Sequence, residues 1–299
     1  MSQAPTPLAP TALRAQRPCC TDETLWALLR EDVPFGDLTT SALGLAGRAA
    51  QASFAARGVM VVCGVEEAAR LFELVGATVT VHLPSGATAQ ADDALMTVNG
   101  EVSALLMAWK TAQTLAEALS GIATAARHIV DALCAAGFDV PLACTRKNFP
   151  GTRVLAAKAV RSGGAVMHRL GLSETLLVFP EHRAFIEPGE QGAAIERLRR
   201  QQPEKRVVVE VGTIDEAMAL AHAGADVLQL ERFSPADLRH LRDRLTSAGL
   251  HPALAPAGGV NLSNAVDYAR AGADFLVSSS PYFAPPADIR VRLHPTLDA

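Results

Sequence analysis

Two short cationic runs stand out in this sequence. Thr145-Arg146-Lys147 precedes Asn148-Phe149-Pro150-Gly151-Thr152-Arg153, and His168-Arg169 follows the glycine pair Gly163-Gly164. Arginine offers a planar fork matched to a carboxylate or phosphate, and lysine a mobile point charge. A histidine beside an arginine can bind an anion or move a proton near neutral pH. Taken locally, the first run fits bound oxyanions and a solvated basic turn equally well, and a lone histidine is more often structural. Two carboxylates sit in apolar surroundings. Glu210 interrupts Val207-Val208-Val209-Glu210-Val211, and Glu231 ends Leu228-Gln229-Leu230-Glu231. A buried charge is costly alone, so each needs a ligand or a structural ion pair. Opposite Arg146, Lys147, His168 and Arg169, they suit ribose hydroxyls, a Mg²⁺ ion or a cationic intermediate. Ala257-Gly258-Gly259 precedes Asn261-Leu262-Ser263-Asn264, and Ser278-Ser279-Ser280 comes later. Glycines let backbone N–H groups approach a phosphate, and a helix start adds favourable partial charge.

Such residues act together only if the chain folds them together. After Gly137, short apolar runs alternate with amphipathic stretches. Strands are expected over Pro141–Thr145, Thr175–Phe179, Arg206–Val211, Val227–Leu230, Pro252–Ala255 and Phe275–Ser278. Helices are expected over Val154–Ser162, Gln191–Arg200, Ile214–Ala223, Pro235–Ala248 and Leu262–Ala271. This alternation means right-handed crossovers and a parallel sheet. Ala223-Gly224-Ala225-Asp226 and Ala271-Gly272-Ala273-Asp274 form a weak repeat, in which glycine ends a helix just before the next strand. Eight complete units usually need about 200 residues or more. The expected fold class is therefore α/β, an open or incomplete parallel β/α barrel of six to seven strands. A doubly wound sheet is the competitor, but no glycine-rich dinucleotide fingerprint follows the first strand. In both architectures function collects where strands end, and the candidates above fall there.

Upstream the rhythm differs. A helix is expected from about Thr24 to Glu31, capped by Thr21 or Asp22. Short strands follow over Ala49–Arg57, Val59–Cys63, Thr78–His82 and Leu95–Val98, with a helix over Glu66–Val75 among them. This reads as an N-terminal α+β domain over residues 21–115, with residues 285–299 available to pack on it. A helical tract from Ser103 to Ala136, one helix or two, leads into a barrel domain over residues 116–284. Residues 1–20, rich in Pro, Ala, Gln and Thr, read as a disordered tail.

The chain has 299 residues, of which 49% are hydrophobic, enough for a sizeable core. Its net charge of −4 argues against a nucleic-acid partner, which would call for a basic face. The N-terminus lacks the apolar core of a signal peptide, and Lys110 and Glu117 interrupt the most apolar region, so neither export nor a membrane partner is expected. Five cysteines, an odd count without zinc-ligand spacing, fit free thiols in a cytoplasmic protein.

Several motifs together resemble the quinolinate phosphoribosyltransferase (nicotinate-nucleotide pyrophosphorylase) superfamily. In order they are Gly36-Asp37-Leu38-Thr39-Thr40, Ser120-Gly121-Ile122-Ala123-Thr124, Thr145-Arg146-Lys147 with Pro150-Gly151, Gly163-Gly164, His168-Arg169-Leu170-Gly171-Leu172, Glu210-Val211 and Gly258-Gly259. The resemblance implies an N-terminal α/β domain, a C-terminal open barrel, and a homodimer whose subunits share each active site. It implies a pentosyltransferase that condenses a small base with phosphoribosyl pyrophosphate, using Mg²⁺; with quinolinate the products are nicotinate mononucleotide, pyrophosphate and CO₂. On matching positions, Arg146, His168 and Arg169 would grip the base's carboxylates, and Lys147 would reach the donor. Glu210 and Glu231 would hold ribose or metal, and Gly258 and Gly259 would cradle the 5′-phosphate.

This chain departs from the superfamily pattern at five places. Lys110 stands for an Arg, Phe179 for a Lys, Glu231 for an Asp, Ala257 for a Ser and Ser279 for a Gly. Phe179 removes a cation from an anion site, and Lys110 loses bidentate grip. The same departures are similar to the ModD branch, which accompanies molybdate-transport genes. So are Ala108-Trp109-Lys110, Phe149-Pro150-Gly151-Thr152, Leu172-Ser173-Glu174-Thr175 and Ser280-Pro281-Tyr282. The expectation is a ModD-type pyrophosphorylase acting on a carboxylated base not yet identified. The alternatives are a true quinolinate enzyme of NAD biosynthesis and a non-catalytic sensor of a nucleotide or oxyanion in molybdenum metabolism.

Overall fold

The computed structural model describes residues 17–187 and 189–296. The expected tail over residues 1–20 lies mostly outside them. The chain divides into two compact units, Met1–Gly121 with Pro286–Ala299, and Ile122–Pro285.

The first unit begins with α1 (Asp22–Asp32), whose N-terminus is capped by the Thr21 hydroxyl accepting from the Thr24 N–H. It continues through α2 (Leu38–Ala42), β1 (Ala49–Ala56), β2 (Met60–Val61), α3 (Val65–Leu74), β3 (Thr78–Val81), β4 (Thr88–Ala89) and β5 (Ala94–Glu101). The helical tract is one helix, α4 (Val102–Ala135), and the unit boundary falls within it. Gly121 is tolerated there at a cost of about 1 kcal/mol relative to alanine.

The second unit contains β6 (Leu142–Cys144), α5 (Arg153–Ser162), β7 (Val166–Met167), β8 (Leu176–Val178), α6 (Pro180–Arg183), α7 (Gln191–Gln201), β9 (Val207–Val211), α8 (Ile214–His222), β10 (Val227–Glu231), α9 (Pro235–Ser247), β11 (Ala253–Ala257), α10 (Ala265–Arg270) and β12 (Leu276–Ser278). The chain then returns to the first unit as β13 (Ile289–Pro295), which pairs antiparallel with β1 in a sheet of order β13-β1-β5-β3.

Among the described residues, seven parallel strands form the barrel wall. Two ladders, β7-β6-β12 and β11-β10-β9-β8, lie side by side because β11 packs next to β12. Among the described residues no ladder joins β7 to β8, so the wall is open there. Strands β9 to β12 are mostly buried on both faces, and the faces differ. Val207, Val209, Val211, Leu228, Leu230, Leu254 and Leu276 pack in the main core, with apolar side chains of the helices. Leu177, Val208, Val227, Ala255, Ala257 and Val277 form a separate cluster inside the barrel. Side chains alternate along a strand. The inner set therefore continues through Glu210 on β9 and through Gln229 and Glu231 on β10, at the strands' C-terminal ends. Alanines on β11 leave space beside them.

At the opposite end the Gly–Ala–Asp repeat has a structural role. Gly224 and Gly272 adopt φ of 90° and 100°. Asp226 then accepts from the Val207 N–H at 2.8 Å and pairs with Arg199. Asp274 accepts from the Leu254 N–H at 2.6 Å and pairs with Arg242. Each aspartate satisfies a backbone donor at the start of a neighbouring strand or next to it. No helix among the described residues is long and apolar enough to cross a membrane.

The Gly163-Gly164 pair packs α5 against α4. A Cβ on Gly163 would lie 2.4 Å from the Ala123 carbonyl oxygen and 2.7 Å from Ala126 Cβ. Gly163→Ala is expected to cost about 1–3 kcal/mol by forcing the helices apart. Urea unfolding measures this, and an unchanged midpoint would show that the helices do not meet this closely.

Candidate active site

The two cationic runs are brought together by one strand pair. In the β6–β7 ladder Cys144 faces Met167. The Cys144 carbonyl then accepts from the His168 N–H at 2.9 Å. Thr145-Arg146-Lys147 and His168-Arg169 therefore leave neighbouring strand ends. The first run is anchored through Thr145, whose N–H donates to the Ser278 carbonyl at 2.9 Å and whose carbonyl accepts from the Tyr282 hydroxyl at 2.8 Å. Arg146, Lys147, His168 and Arg169 line one cavity of about 800 Å³ with Glu210, Glu231, Gly258, Gly259 and Ser279.

Arg169 is 5% exposed, and among the described residues it has no ion pair. Its guanidinium carbon lies 5.6 Å from the Phe179 ring centroid. Burial, and secondarily the Arg146 charge, lower its pKa from the usual range. Burial and then the Arg169 charge push the His168 imidazole down as well, so it is neutral at pH 7. Neither Arg146 nor Lys147 forms an ion pair with a described residue. A desolvated cation without a counter-ion is costly, and an anionic ligand offsets that cost.

The carboxylates come from the other ladder. Gln229 and Glu210 are register partners, and Gln229 Nε2 donates to Glu210 Oε2 at 2.6 Å. Gln229 Oε1 is buried without a hydrogen-bond partner. Burial raises the Glu210 pKa, and Glu231 and Glu181 add to the rise; the Gln229 hydrogen bond and the Lys147 charge oppose it. Behind the strand, Arg183 donates to the Glu210 carbonyl at 3.1 Å and pairs with Glu216 at 3.0 Å. Glu231 pairs with Arg232 at 3.5 Å.

Between these groups lies the diglycine turn. Gly258 and Gly259 have φ of +75° and +108°, where only glycine is comfortable. A Cβ at 258 would strike Glu231 Oε1 at 2.4 Å, whereas one at 259 would meet nothing within 4 Å. Gly258 thus makes room for a carboxylate, and Gly259 leaves backbone open to the cavity. The expected helix over Leu262–Ala271 is shorter, beginning at Ala265. Asparagines explain the difference. Asn264 Oδ1 accepts from the Asn261 N–H at 2.9 Å, and Asn261 Oδ1 accepts from the Ser263 N–H at 2.9 Å. Both side-chain amides also donate to the Gly259 carbonyl. These local bonds favour a turn over helix. The helix start is not adjacent to the glycines, and its partial charge falls off within a turn.

Of the expected site residues, Lys110 does not line this cavity. It is exposed on α4 in the first unit, with Nζ 4.3 Å from the Trp109 ring centroid and 3.2 Å from Gln113 Oε1. Phe179 lines the cavity, as do Gln229, Glu181 and Asn261, which the motif reading did not single out. Gln229 had a readable signal, since it lies two residues before Glu231 and so shares its face.

The chain matches two family models. The one described as quinolinate phosphoribosyl transferase, N-terminal domain, covers residues 37–120, and its C-terminal counterpart covers residues 122–292. It is 46% identical over 258 residues to the ModD protein of Rhodobacter capsulatus, covering 85% of this chain and 98% of that one. It is 33% identical over 259 residues to the nicotinate-nucleotide pyrophosphorylase [carboxylating] of Mycobacterium leprae, covering 85% and 90%. Among solved structures, NadC from Streptococcus pyogenes superposes with a TM-score of 0.83 at 28% identity, covering 93% of this chain and 97% of that one.

Two measurements probe the electrostatics. Arg169→Met is expected to keep or raise the unfolding temperature without ligand while abolishing stabilisation by an added aromatic carboxylate. A large drop without ligand would mean that the guanidinium has a structural partner. His168 has a folded-state pKa below its unfolded value of about 6.5. The unfolded chain therefore holds the extra proton in that window. Stability should fall as pH drops from about 6.5 towards the folded pKa. His168→Gln should flatten this decline, and an unaltered slope would assign it to other groups.

Proposed function

The chain belongs to the quinolinate phosphoribosyl transferase family, and from that premise we propose that its barrel cavity joins a carboxylated base to phosphoribosyl pyrophosphate. It is a pyrophosphorylase of that family and a pentosyltransferase by reaction class. The observation that carries the assignment of the cavity is buried Arg169, beside Arg146 and without a counter-ion, in a space that also holds Glu210 and the open Gly259 turn.

In this reading a ring nitrogen of the base donates its lone pair to C1 of the ribose. The C1–O bond breaks, and its electron pair leaves with pyrophosphate. Arg146 and Arg169 hold the base by its carboxylate and aim the nitrogen. Neutral His168 offers a hydrogen bond without adding a third positive charge. Lys147 faces the phosphates of the donor. Glu210, held by Gln229, meets the ribose hydroxyls and the positive charge that develops at C1. The backbone at Gly259 and the Ser279 side receive the 5′-phosphate.

Mg²⁺ fits the acidic side of the cavity. Among the described residues there is no cluster of three or more His, Cys, Asp or Glu side chains. Mg²⁺ does not need one, since it typically uses one or two carboxylates with waters and substrate phosphates. Glu210, Glu231 and the unpartnered Gln229 Oε1 are oxygen donors of that kind. When bound, the ion would neutralise pyrophosphate.

A homodimer with shared sites is part of the proposal. It is supported by Lys110, an exposed cation without an ion pair among the described residues, and by Phe283, 75% exposed at the cavity edge. In a mixture of the Lys110→Ala and Arg146→Ala variants, activity should recover relative to either alone, because hybrid dimers contain one intact site. No recovery would refute site sharing.

The central test is a pyrophosphate-release screen of aromatic bases, quinolinate included, with phosphoribosyl pyrophosphate and Mg²⁺. A base that supports turnover should lose about 100-fold or more in kcat/KM with Arg146→Ala, with little change in unfolding temperature. An unchanged rate would overturn the assignment of Arg146.

A further inference from the structure

A second cavity, of about 590 Å³, shares a wall with the first. Arg146, Arg169, Leu177 and Phe179 line both. It runs along β8, the strand that ends its sheet on the open side of the barrel. Its other walls include aliphatic side chains of the β7–β8 loop and α7, such as Leu172 and Leu198. Its charged lining is one-sided: Arg146, Arg169 and Arg197 contribute, and no Asp or Glu does. Among the described residues none of these arginines has an ion pair.

An aliphatic space edged by unpaired guanidinium groups fits an organic anion with an apolar body. Phe179 is fixed in the shared wall. Its ring stacks on His182 at 5.8 Å and 18°, and it lies against Arg169. That contact gives Arg169 no counter-charge, so a carboxylate can still pair with its N–H groups. A small unsubstituted ring needs only the first cavity, whose volume of about 800 Å³ already lies within the range of whole ligand pockets.

We propose that the base is an aromatic acid bearing an apolar substituent: its carboxylate sits on Arg146 and Arg169 at the shared wall, and its substituent occupies the second cavity. This rests on the phosphoribosyl reading of the first cavity and specifies its substrate class. Each methylene buried there should tighten binding about fourfold.

The experiment is calorimetric titration of the full chain with benzoate, with 4-butylbenzoate and, separately, with pyrophosphate and Mg²⁺. The butyl compound is expected to bind at least about tenfold tighter than benzoate. Arg197→Glu and Leu172→Glu, both at exposed positions, place a carboxylate at this cavity and should each erode that preference without weakening pyrophosphate. Equal affinities for the two acids, or a preference that survives both substitutions, would overturn the proposal. If the wild type also failed to bind pyrophosphate, the phosphoribosyl reading would fall with it.

Discussion

Arg169 leaves β7 into the barrel mouth, loses almost all contact with solvent, and meets another arginine instead of a carboxylate. The Phe179 ring centroid lies 5.6 Å from its guanidinium carbon. In a protein built only for stability such a site would be replaced by an apolar side chain, because desolvation of the charge is not repaid. The mouth of this barrel therefore suits an anion from outside. The neutral state of His168 follows from its burial and the neighbouring Arg169 charge, in a mouth where acidic and basic groups are kept apart.

That separation is a property of strand order. Around the wall the order is β7, β6, β12, β11, β10, β9, β8. The cations follow β7 and β6, Ser279 follows β12, the glycine pair follows β11, and the carboxylates end β10 and β9. Charge thus changes sign around the mouth, with the backbone-lined turn between the two arcs. A sugar phosphate that carries both a phosphate and a carbon becoming positive is matched by that gradient. The opening between β7 and β8 lies beside the cationic arc, which is why the second cavity is edged by arginines.

The barrel's two ends carry different duties. At the N-terminal end, Asp226 and Asp274 close backbone donors and pair with arginines, so charge there is neutralised within the protein. At the C-terminal end, Arg146, Lys147 and Arg169 are left unneutralised. Charges of the same chemical kind are structural in one place and available to a ligand in the other. The difference lies in whether a partner stands within reach.

Much of this was legible in the residue order. Alternation of apolar runs with amphipathic stretches marks six of the seven barrel strands, and period-two spacing puts Glu210 and Glu231 on the inner face. Strand-end positions for Arg146 and Gly258 follow as well, because local pattern and strand geometry share the same period. β7 could not be read this way, since two residues show no period. Hydropathy places the start of α10 at Leu262 rather than Ala265, because side-chain amides of Asn261 and Asn264 compete with helix formation through bonds it does not register. Only tertiary structure decided which strands are neighbours, hence that Lys147 faces Glu210 across one cavity, that Gln229 buttresses Glu210, and that Arg169 is buried with no carboxylate beside it. Those are facts about distance between segments remote in sequence, and the energy of a charge depends on what lies within a few ångströms of it, not on its position along the chain.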